Sequence, residues 1–371
     1  VCCPKDYQEI ISLLKANGTV PLDKRRAFAA KSFRHVSLYD EKIADYLATF
    51  DSPDTVQFPD EKKITLKRKK LLRYGENPHQ AAALYNIDLI GPKGVANSTQ
   101  LAGKQLSYNN LVDVDTAYEC VQAFSEPTCV IVKHANPCGL ALDESQANAF
   151  KKAFDGDQVS AYGGIVAFNK ILEEDTVSQM KGIFFELVIA PGITENALTR
   201  LQKRKDLRII NMKNVKYENP KYEIKTFAGG YIIQDTDIIE ESKNKWKTVT
   251  KSKPSNTQLK DLEFAWKAIK HVKSNGIILV KDQSIIGLGT GQPNRINSIE
   301  IAARVAEGKS DGSILASDAF FPFSDNVQLA HKIGVKSLIQ PGGSIRDNEV
   351  IDLANKLNIS MIFTGTRHFK H

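Results

Sequence analysis

A lysine and a histidine stand side by side at the end of an apolar run, in the segment VKHANPCG (132–139). We expect Lys133 and His134 to leave a strand just before an Asn-Pro turn, where ligands usually meet an α/β sheet. A histidine can exchange a proton near neutral pH, and an adjacent ammonium can stabilise developing negative charge. The pair indicates acid–base chemistry, but a capped histidine beside a solvated lysine explains the local pattern equally well.

A rival interpretation of this segment is a zinc site of the nucleobase-deaminase type. Such enzymes combine H-x-E with P-C-x-x-C. The chain has His134 and the pair Pro137-Cys138, but none of its seven histidines is followed two residues later by glutamate, and no C-x-x-C occurs. The sequence therefore predicts neither a structural nor a catalytic zinc ion.

Other polar segments would suit an anionic, flat ligand. Arginine presents a fixed fork of donors that fits phosphate. The glycine-rich stretch GLGTG lacks both the dinucleotide fingerprint and the P-loop lysine, so alone it is weak evidence. FFPF is more typical of a core or a turn, although it would also suit a heterocycle stacked at a cleft wall. These segments are RYGENPHQ (73–80), SYNNLVD (107–113), GLGTG (287–291) with Asn294 and Arg295 after it, FFPF (320–323) and TGTRHFKH (364–371).

Composition is that of a globular protein with more than one domain. The chain has 371 residues, of which 42% are hydrophobic and 25% charged, and these fractions are ordinary. Neither a membrane-spanning apolar run nor a signal-peptide layout is visible, and the first residue, Val1, reads as a cut point within folded sequence. Five cysteines form no regular framework, which predicts reduced thiols, buried as small apolar groups, in a cytoplasmic protein.

The net charge of +7 owes much to residues 62–73, KKITLKRKKLLR, where seven residues are basic. A solvated basic strand or linker is the favoured interpretation. Attraction of anionic small molecules comes second, and nucleic-acid binding is weaker because no recognisable reading motif accompanies the charge.

The order of elements predicts an α/β fold. Helical spacing marks residues 22–33 and 40–50 after what reads as the end of a strand, and residues 51–60 read as a linker. From about Leu71, short apolar runs alternate with helical patterns, which is typical of sheets covered by helices. A second boundary is expected at residues 241–254, before a helix with a Ser255–Gln258 capping box. The runs predicted as strands are 129–132, 164–168, 187–190, 277–280, 313–316, 337–339 and 360–363.

Two parts of the chain look loosely alike. AYGGIVAF (161–168) with LVIAPG (187–192) has a counterpart in LASDAFFPF (315–323) with SLIQPG (337–342). We interpret them as two related α/β units packed together. The cleft between such units would be the expected substrate site.

Seven segments in one order resemble the family of bifunctional purine-biosynthesis enzymes that join AICAR transformylase to IMP cyclohydrolase. The resemblance implies two cytidine-deaminase-like α/β units without zinc, preceded by a helical connector and the remnant of a methylglyoxal-synthase-like domain. It implies domains at 1–60 (end of the cyclohydrolase domain and connector), 61–245 and 246–371 (first and second transformylase units). The segments are RYGENPHQ, VKHANPCG, SAYGGIVAFN, VIAPG, SDAFFPF, QPGGSIRD and TRHFKH.

The resemblance also implies the site. Formyl transfer from 10-formyltetrahydrofolate to the 5-amino group of AICAR would use Lys133, His134 and Asn275 as catalytic residues. AICAR would be bound by Arg73, Asn110, Glu186, Arg295, Arg367 and His371. The folate would be bound by Val159, Gly163, Phe320, Pro322, Phe323 and Asn326.

The family works as a homodimer with shared sites, so the resemblance implies one here. KHANPCG, and Gly164 where some members are acidic, place the chain with bacterial-type sequences. The resemblance implies that most of the cyclohydrolase domain is absent from this sequence and that the full-length protein would also close the ring. A zinc-type deaminase or hydrolase and a nucleotide- or RNA-binding module are the alternatives. Whether a monovalent cation lies near Lys133 is left open.

Overall fold

Two compact units, Val1–Thr65 and Leu66–His371, make up the chain in the computed structural model. The structure describes residues 1–51, 58, 60–87, 93–238 and 243–371. Within these ranges no helix is long and apolar enough to cross a membrane. The predicted linker at 51–60 lies largely outside the described residues, as does the start of the boundary predicted at 241–254.

Among its described residues, the first unit contains two α-helices, α1 (Tyr7–Asn17) and α2 (Leu22–Asp51). Gly18 ends α1 in a left-handed conformation with φ of 68°, which glycine adopts without a steric penalty. The helical structure predicted at 22–33 and 40–50 is confirmed, but both stretches belong to one continuous helix. The prediction of two separate helices is therefore wrong. The strand expected at the start is also wrong. Cys3 has extended dihedral angles, but it pairs with none of the described strands.

The second unit is an α/β structure built on one large mixed sheet of twelve strands, in the order β11-β16-β15-β14-β12-β13-β5-β4-β6-β7-β8-β3. Two further strand pairs, β1–β2 and β9–β10, are separate antiparallel ladders. All seven strands predicted from apolar runs are confirmed. The strands are β1 (Leu66–Leu71), β2 (Ala83–Ile87), β3 (Thr99–Ala102), β4 (Thr128–Lys133), β5 (Asn136–Leu142), β6 (Ile165–Phe168), β7 (Leu187–Ala190), β8 (Arg208–Asn211), β9 (Tyr222–Phe227), β10 (Gly230–Asp235), β11 (Lys247–Thr248), β12 (Ile277–Lys281), β13 (Ser284–Gly289), β14 (Ile314–Ser317), β15 (Ser337–Gln340) and β16 (Ser360–Phe363).

Helices cover both faces of this sheet, which is why its central strands are continuous apolar runs. Helices α3 and α8 share one core on one face, where Phe124 and Phe264 have ring centroids 5.3 Å apart. The other helices pack on the opposite face in two separate cores. Three of the five cysteines, Cys120, Cys129 and Cys138, are buried free thiols as predicted, whereas Cys2 and Cys3 are only half-buried. The helices are α3 (Tyr108–Gln122), α4 (Gln146–Gly156), α5 (Gln158–Ala161), α6 (Glu174–Gln179), α7 (Glu195–Gln202), α8 (Asn256–Ile269), α9 (Arg295–Val305), α10 (Asp325–Lys332) and α11 (Asp347–Lys356).

The sheet has an internal two-fold pattern. Reading outwards from its middle, β5-β4-β6-β7-β8-β3 mirrors β13-β12-β14-β15-β16-β11, with the same alternation of parallel and antiparallel pairs on each side. The predicted likeness of two parts of the chain is therefore a structural repeat. The predicted alignment of 161–168 with 315–323 has the wrong register, because Ile165 and Ile314 occupy the equivalent places. The Pro-Gly pairs after β7 and β15 do correspond.

The glycine-rich stretch is not a loop over its first part, because Gly287 and Gly289 lie in β13. A Cβ at Gly287 would sit 2.2 Å from the carbonyl oxygen of Ala302, and one at Gly289 would sit 1.8 Å from that of Ser298. These glycines let α9 lie against the strand. The phosphate loop considered at 287–291 is therefore wrong, and the glycines are explained by packing.

Candidate active site

Lys133 and His134 lie at the tip of the β4–β5 hairpin, near the middle of the sheet. His134 and Ala135 form the two-residue turn, with φ of 53° and 56°, as a type I′ turn requires. The turn predicted at Asn-Pro is wrong, because Asn136 already begins β5. Residues other than glycine are strained at positive φ, and such strain persists only where surrounding contacts impose it.

Two contacts hold this hairpin end. The backbone N–H of Ala135 donates to Asp113 Oδ1 of α3 over 2.6 Å. Lys133 is half-buried, and its ammonium donates to the carbonyl oxygen of Tyr162 over 2.8 Å. The imidazole of His134 is exposed. The chain thus anchors the ammonium and the turn while leaving the histidine ring accessible to a ligand.

Three of the six residues predicted to bind the nucleotide, Arg73, Asn110 and Glu186, lie at the start of α3. Asn110 Nδ2 donates to Glu186 Oε2 over 3.2 Å, and Asn110 Oδ1 accepts from the Ser107 N–H in a capping box. The buried guanidinium of Arg208 lies 3.5 Å from the Glu186 carboxylate. The N–H of Arg73 donates to Leu106 O over 3.2 Å, which brings the exposed Arg73 to the same helix end. Arg208 was not predicted from the sequence, since it follows no recognisable motif.

Asn275 lies just before β12 and is held on both sides. Its Nδ2 donates to the carbonyl oxygen of Gln292 over 2.8 Å, and its Oδ1 accepts from Arg295 Nη2 over 2.7 Å. Arg295 is buried, and its other donors bind Asp318 and Ser317. The contact predicted between Arg295 and a nucleotide stays a prediction. What the structure adds is a network that orients the amide of Asn275.

Asn136 joins the two segments that carry the residues predicted to be catalytic. Its Oδ1 accepts from the N–H of Lys273 over 3.2 Å and lies 3.3 Å from the hydroxyl of Thr290. β5 and β13 are neighbours in the sheet. The tip of the hairpin that carries His134 and the segment before Asn275 therefore lie at the same edge of the sheet, which is formed by one end of its central strands. Sequence reasoning missed Asn136, although it lies within the motif KHANPCG.

The C-terminal segment is hydrogen-bonded to residues at this edge of the sheet. Ser274 and Lys370 exchange hydrogen bonds, with Ser274 N donating to Lys370 O over 2.9 Å. The N–H of His368 donates to Asp318 O over 3.1 Å. These bonds place Arg367 and His371, both exposed, on either side of the anchored residues. Two residues predicted to bind the nucleotide therefore reach the neighbourhood of Asn275.

The residues predicted to bind folate fall into two groups. Val159 is highly exposed in α5, and Gly163 follows that helix near Lys133. Phe320, Pro322, Phe323 and Asn326 follow β14 in the second repeat. Across the described parts of the chain, no hydrogen bond or ring contact joins the two groups.

The second group contains two exposed aromatic side chains and one buried acceptor. Phe320 and Phe323 are exposed, whereas Phe321 is fully buried in the core. Asn326 Nδ2 donates to Phe323 O over 3.2 Å. Its Oδ1 is buried and has no hydrogen-bond partner among the residues described. A buried acceptor without a partner is costly.

In the described ranges, no three His, Cys, Asp or Glu side chains are grouped so that they could hold a metal ion. The exposed ring of His134, the anchored ammonium of Lys133 and the oriented amide of Asn275 can together move a proton and stabilise an oxyanion.

Comparison with known proteins matches the chain to one family. The family described as AICARFT/IMPCHase bienzyme matches residues 1–305. The bifunctional purine biosynthesis protein PurH of Caldicellulosiruptor saccharolyticus is 45% identical over 99% of this chain and 72% of its own length. That of Enterococcus faecalis is 44% identical with the same coverage. That of Dictyostelium discoideum is 43% identical over 99% of this chain and 73% of its own length, so identity alone does not separate a bacterial type from others.

Proposed function

Because the chain belongs to the AICARFT/IMPCHase bienzyme family, we propose that its unit Leu66–His371 is the AICAR formyltransferase of purine biosynthesis. The formyl group would come from 10-formyltetrahydrofolate, as a co-substrate. The observation that carries this proposal is the meeting of the Lys133-His134 turn and the Asn275 segment at one edge of the sheet through Asn136. The two repeats would be cytidine-deaminase-like units, and the enzyme would act in the cytoplasm.

Formyl transfer forms a bond between the AICAR amine nitrogen and the formyl carbon, and it breaks the bond from that carbon to N10 of the folate. His134 takes the proton from the weakly nucleophilic amine. The amide of Asn275 orients the formyl group. Lys133 stabilises the tetrahedral oxyanion or donates the proton that the departing N10 needs. Either role fits an ammonium anchored at 2.8 Å from the Tyr162 carbonyl oxygen.

The two substrates would occupy opposite sides of this pair. Arg73 and Arg367 would clamp the AICAR phosphate, since each offers a fork of donors. Asn110, Glu186 and His371 would contact the remainder of the nucleotide, with Arg295 as a further contact. Folate would lie against Val159, Gly163, Phe320, Pro322, Phe323 and Asn326.

A homodimer with shared sites would unite the two folate groups, which one chain keeps on separate repeats. Mixing His134→Ala with Phe323→Ala, each nearly inactive alone, should restore some activity through hybrid sites. If dilution to true monomers left full specific activity, the shared-site arrangement would be wrong. Residues 1–60 would belong to the ring-closing part of the bifunctional protein and its connector.

Product analysis tests the central proposal. The chain is incubated with AICAR and 10-formyltetrahydrofolate, and the products are separated by liquid chromatography with mass detection. We expect formyl-AICAR and tetrahydrofolate in equal amounts. The absence of formyl-AICAR, or deamination of a nucleobase by protein that carries stoichiometric zinc, would overturn the proposal.

A further inference from the structure

The hairpin turn that carries His134 has a counterpart in the second repeat. There β12 and β13 are joined by Asp282 and Gln283, with φ of 52° and 55°, almost the values at His134 and Ala135. The residue before the turn is lysine in both repeats, Lys133 and Lys281. The second turn lies at the opposite edge of the sheet, because β13 runs antiparallel to β5.

An aspartate from a helix holds each turn. In the second repeat, Asp261 accepts the N–H of Gln283 over 2.7 Å and that of Asp282 over 3.1 Å. In the first repeat, Asp113 accepts the N–H of Ala135 over 2.6 Å. Burial raises the pKa of Asp113, and the hydrogen bonds from the backbone of Ala135 and His134 oppose that rise.

Both aspartates occupy the sixth position of their helices, α3 and α8. Each helix begins with a serine capping box, at Ser107 and at Ser255. The capping box fixes where the helix begins and therefore where its sixth residue, the aspartate, lies. Both side chains are half-buried. Asp261 is therefore a natural match for Asp113 in position, in hydrogen bonding and in exposure.

We propose that Asp113 is a positioning residue of the formyl-transfer site, which fixes the strained turn so that Lys133 and His134 face the substrates together. Two neighbouring L-residues at positive φ are unfavourable without outside support, and a carboxylate on a packed helix supplies that support through charge-assisted hydrogen bonds. The same clamp in the second repeat holds Asp282 and Gln283, which form no Lys-His pair. The inference rests on the proposed function, but the clamp itself does not.

The experiment compares three variants of the full chain, Asp113→Ala, Asp113→Asn and the matched control Asp261→Ala. Displacement of a catalytic group by about 1 Å costs on the order of 100-fold in rate, so Asp113→Ala should lower kcat about 100-fold. KM for both substrates should change less than about threefold, because the clamp does not bind them. Asp113→Asn keeps one acceptor oxygen and should recover part of the rate. Asp261→Ala should lose comparable thermal stability and keep kcat within about twofold.

Equal losses of kcat in Asp113→Ala and Asp261→Ala would overturn the proposal, since the effect would then be general destabilisation. So would a normal kcat in Asp113→Ala. If Asp113→Ala does not fold, Asp113→Asn is compared with a fourth variant, Asp261→Asn. Asp113→Asn must then lower kcat more than Asp261→Asn does, or the proposal is wrong.

Amide hydrogen exchange separates this inference from the proposed function. The N–H of Ala135 should exchange faster in the Asp113 variants than in the wild type, whatever reaction the protein performs. Unchanged protection of Ala135 would overturn the clamp. A wild-type protein that makes no formyl-AICAR while Ala135 shows this effect would overturn the proposed function and leave the clamp standing.

Discussion

The buried ion pair of Arg295 and Asp318 sets the position of Asn275, and a charge-removing change tests it. The guanidinium is 6% exposed and the carboxylate 0%. Asp318 also accepts a hydrogen bond from Ser274 Oγ over 2.5 Å. In Asp318→Asn the guanidinium loses its counter-charge while the backbone contacts of residue 318 remain, so the change isolates the electrostatic role of the carboxylate.

The expected loss is large because charge is stranded away from water. Removing one partner of a buried ion pair costs about 3–5 kcal/mol. Asparagine retains one acceptor oxygen, so we expect Asp318→Asn to lower the free energy of unfolding by about 3 kcal/mol. Arg295→Gln, which strands the carboxylate instead, should cost a similar amount.

The first repeat supplies the control for this pair. Gln146 and Asn169, at the equivalent positions, are neutral amides that bond to neighbouring backbone groups. The double variant Arg295→Gln with Asp318→Asn installs the same amides in the second repeat. Because no charge is then stranded, its stability should lie within about 1 kcal/mol of the wild type. Its kcat should still be low, since Asn275 Oδ1 loses the Arg295 donor at 2.7 Å.

Tryptophan fluorescence during urea unfolding provides the assay. Both tryptophans of the chain, Trp246 and Trp266, lie in the second unit, so the signal reports the unit that contains the pair. Linear extrapolation gives the free energy for each of the four proteins. The reasoning is refuted if Asp318→Asn costs less than about 1 kcal/mol, or if the double variant loses the sum of the two single losses.

Three further predictions concern the site and its surroundings. His134→Ala should lower kcat by about 100-fold or more with little change in AICAR binding, measured by steady-state kinetics and calorimetry; near-normal turnover would remove His134 as the base. Arg73→Lys and Arg367→Lys should each weaken AICAR binding clearly, and equal losses for the dephosphorylated riboside would contradict a phosphate clamp. Burial raises the pKa of Glu119, but His271 and Lys370 outweigh it and lower that pKa to about 2. This stabilisation is present above the ordinary value of 4.5 and lost as pH falls towards 2. The melting-temperature difference between the wild type and Glu119→Gln should therefore shrink as pH falls from 4.5 towards 2, and a constant difference across that range would contradict the linkage.

Short-range patterns in the sequence were sufficient for seven of the sixteen strands described in the second unit and for the start of α8. Apolar runs predicted the central strands because helices cover both faces of the sheet, which makes the strands uniformly apolar. The capping box at Ser255 marked the start of α8, since its side-chain and backbone bonds close within four residues. Motif order led to the family, because seven segments in sequence are far more specific than any one of them.

Tertiary structure decided what depends on contacts between distant residues. Gly287 and Gly289 look like part of a ligand-binding loop in the sequence, but they lie in a strand under α9. They are glycines because a Cβ there would collide with carbonyl oxygens of that helix. The turn lies at His134-Ala135 instead of Asn-Pro, and the N–H of Ala135 there donates to Asp113, which is 22 positions away along the chain. The network of Asn275, Arg295 and Asp318 joins residues from three separate segments, whose proximity only the pairing order of the sheet creates. Charge and hydrogen-bond partners at these positions are properties of the folded chain, which no local pattern in the sequence contains.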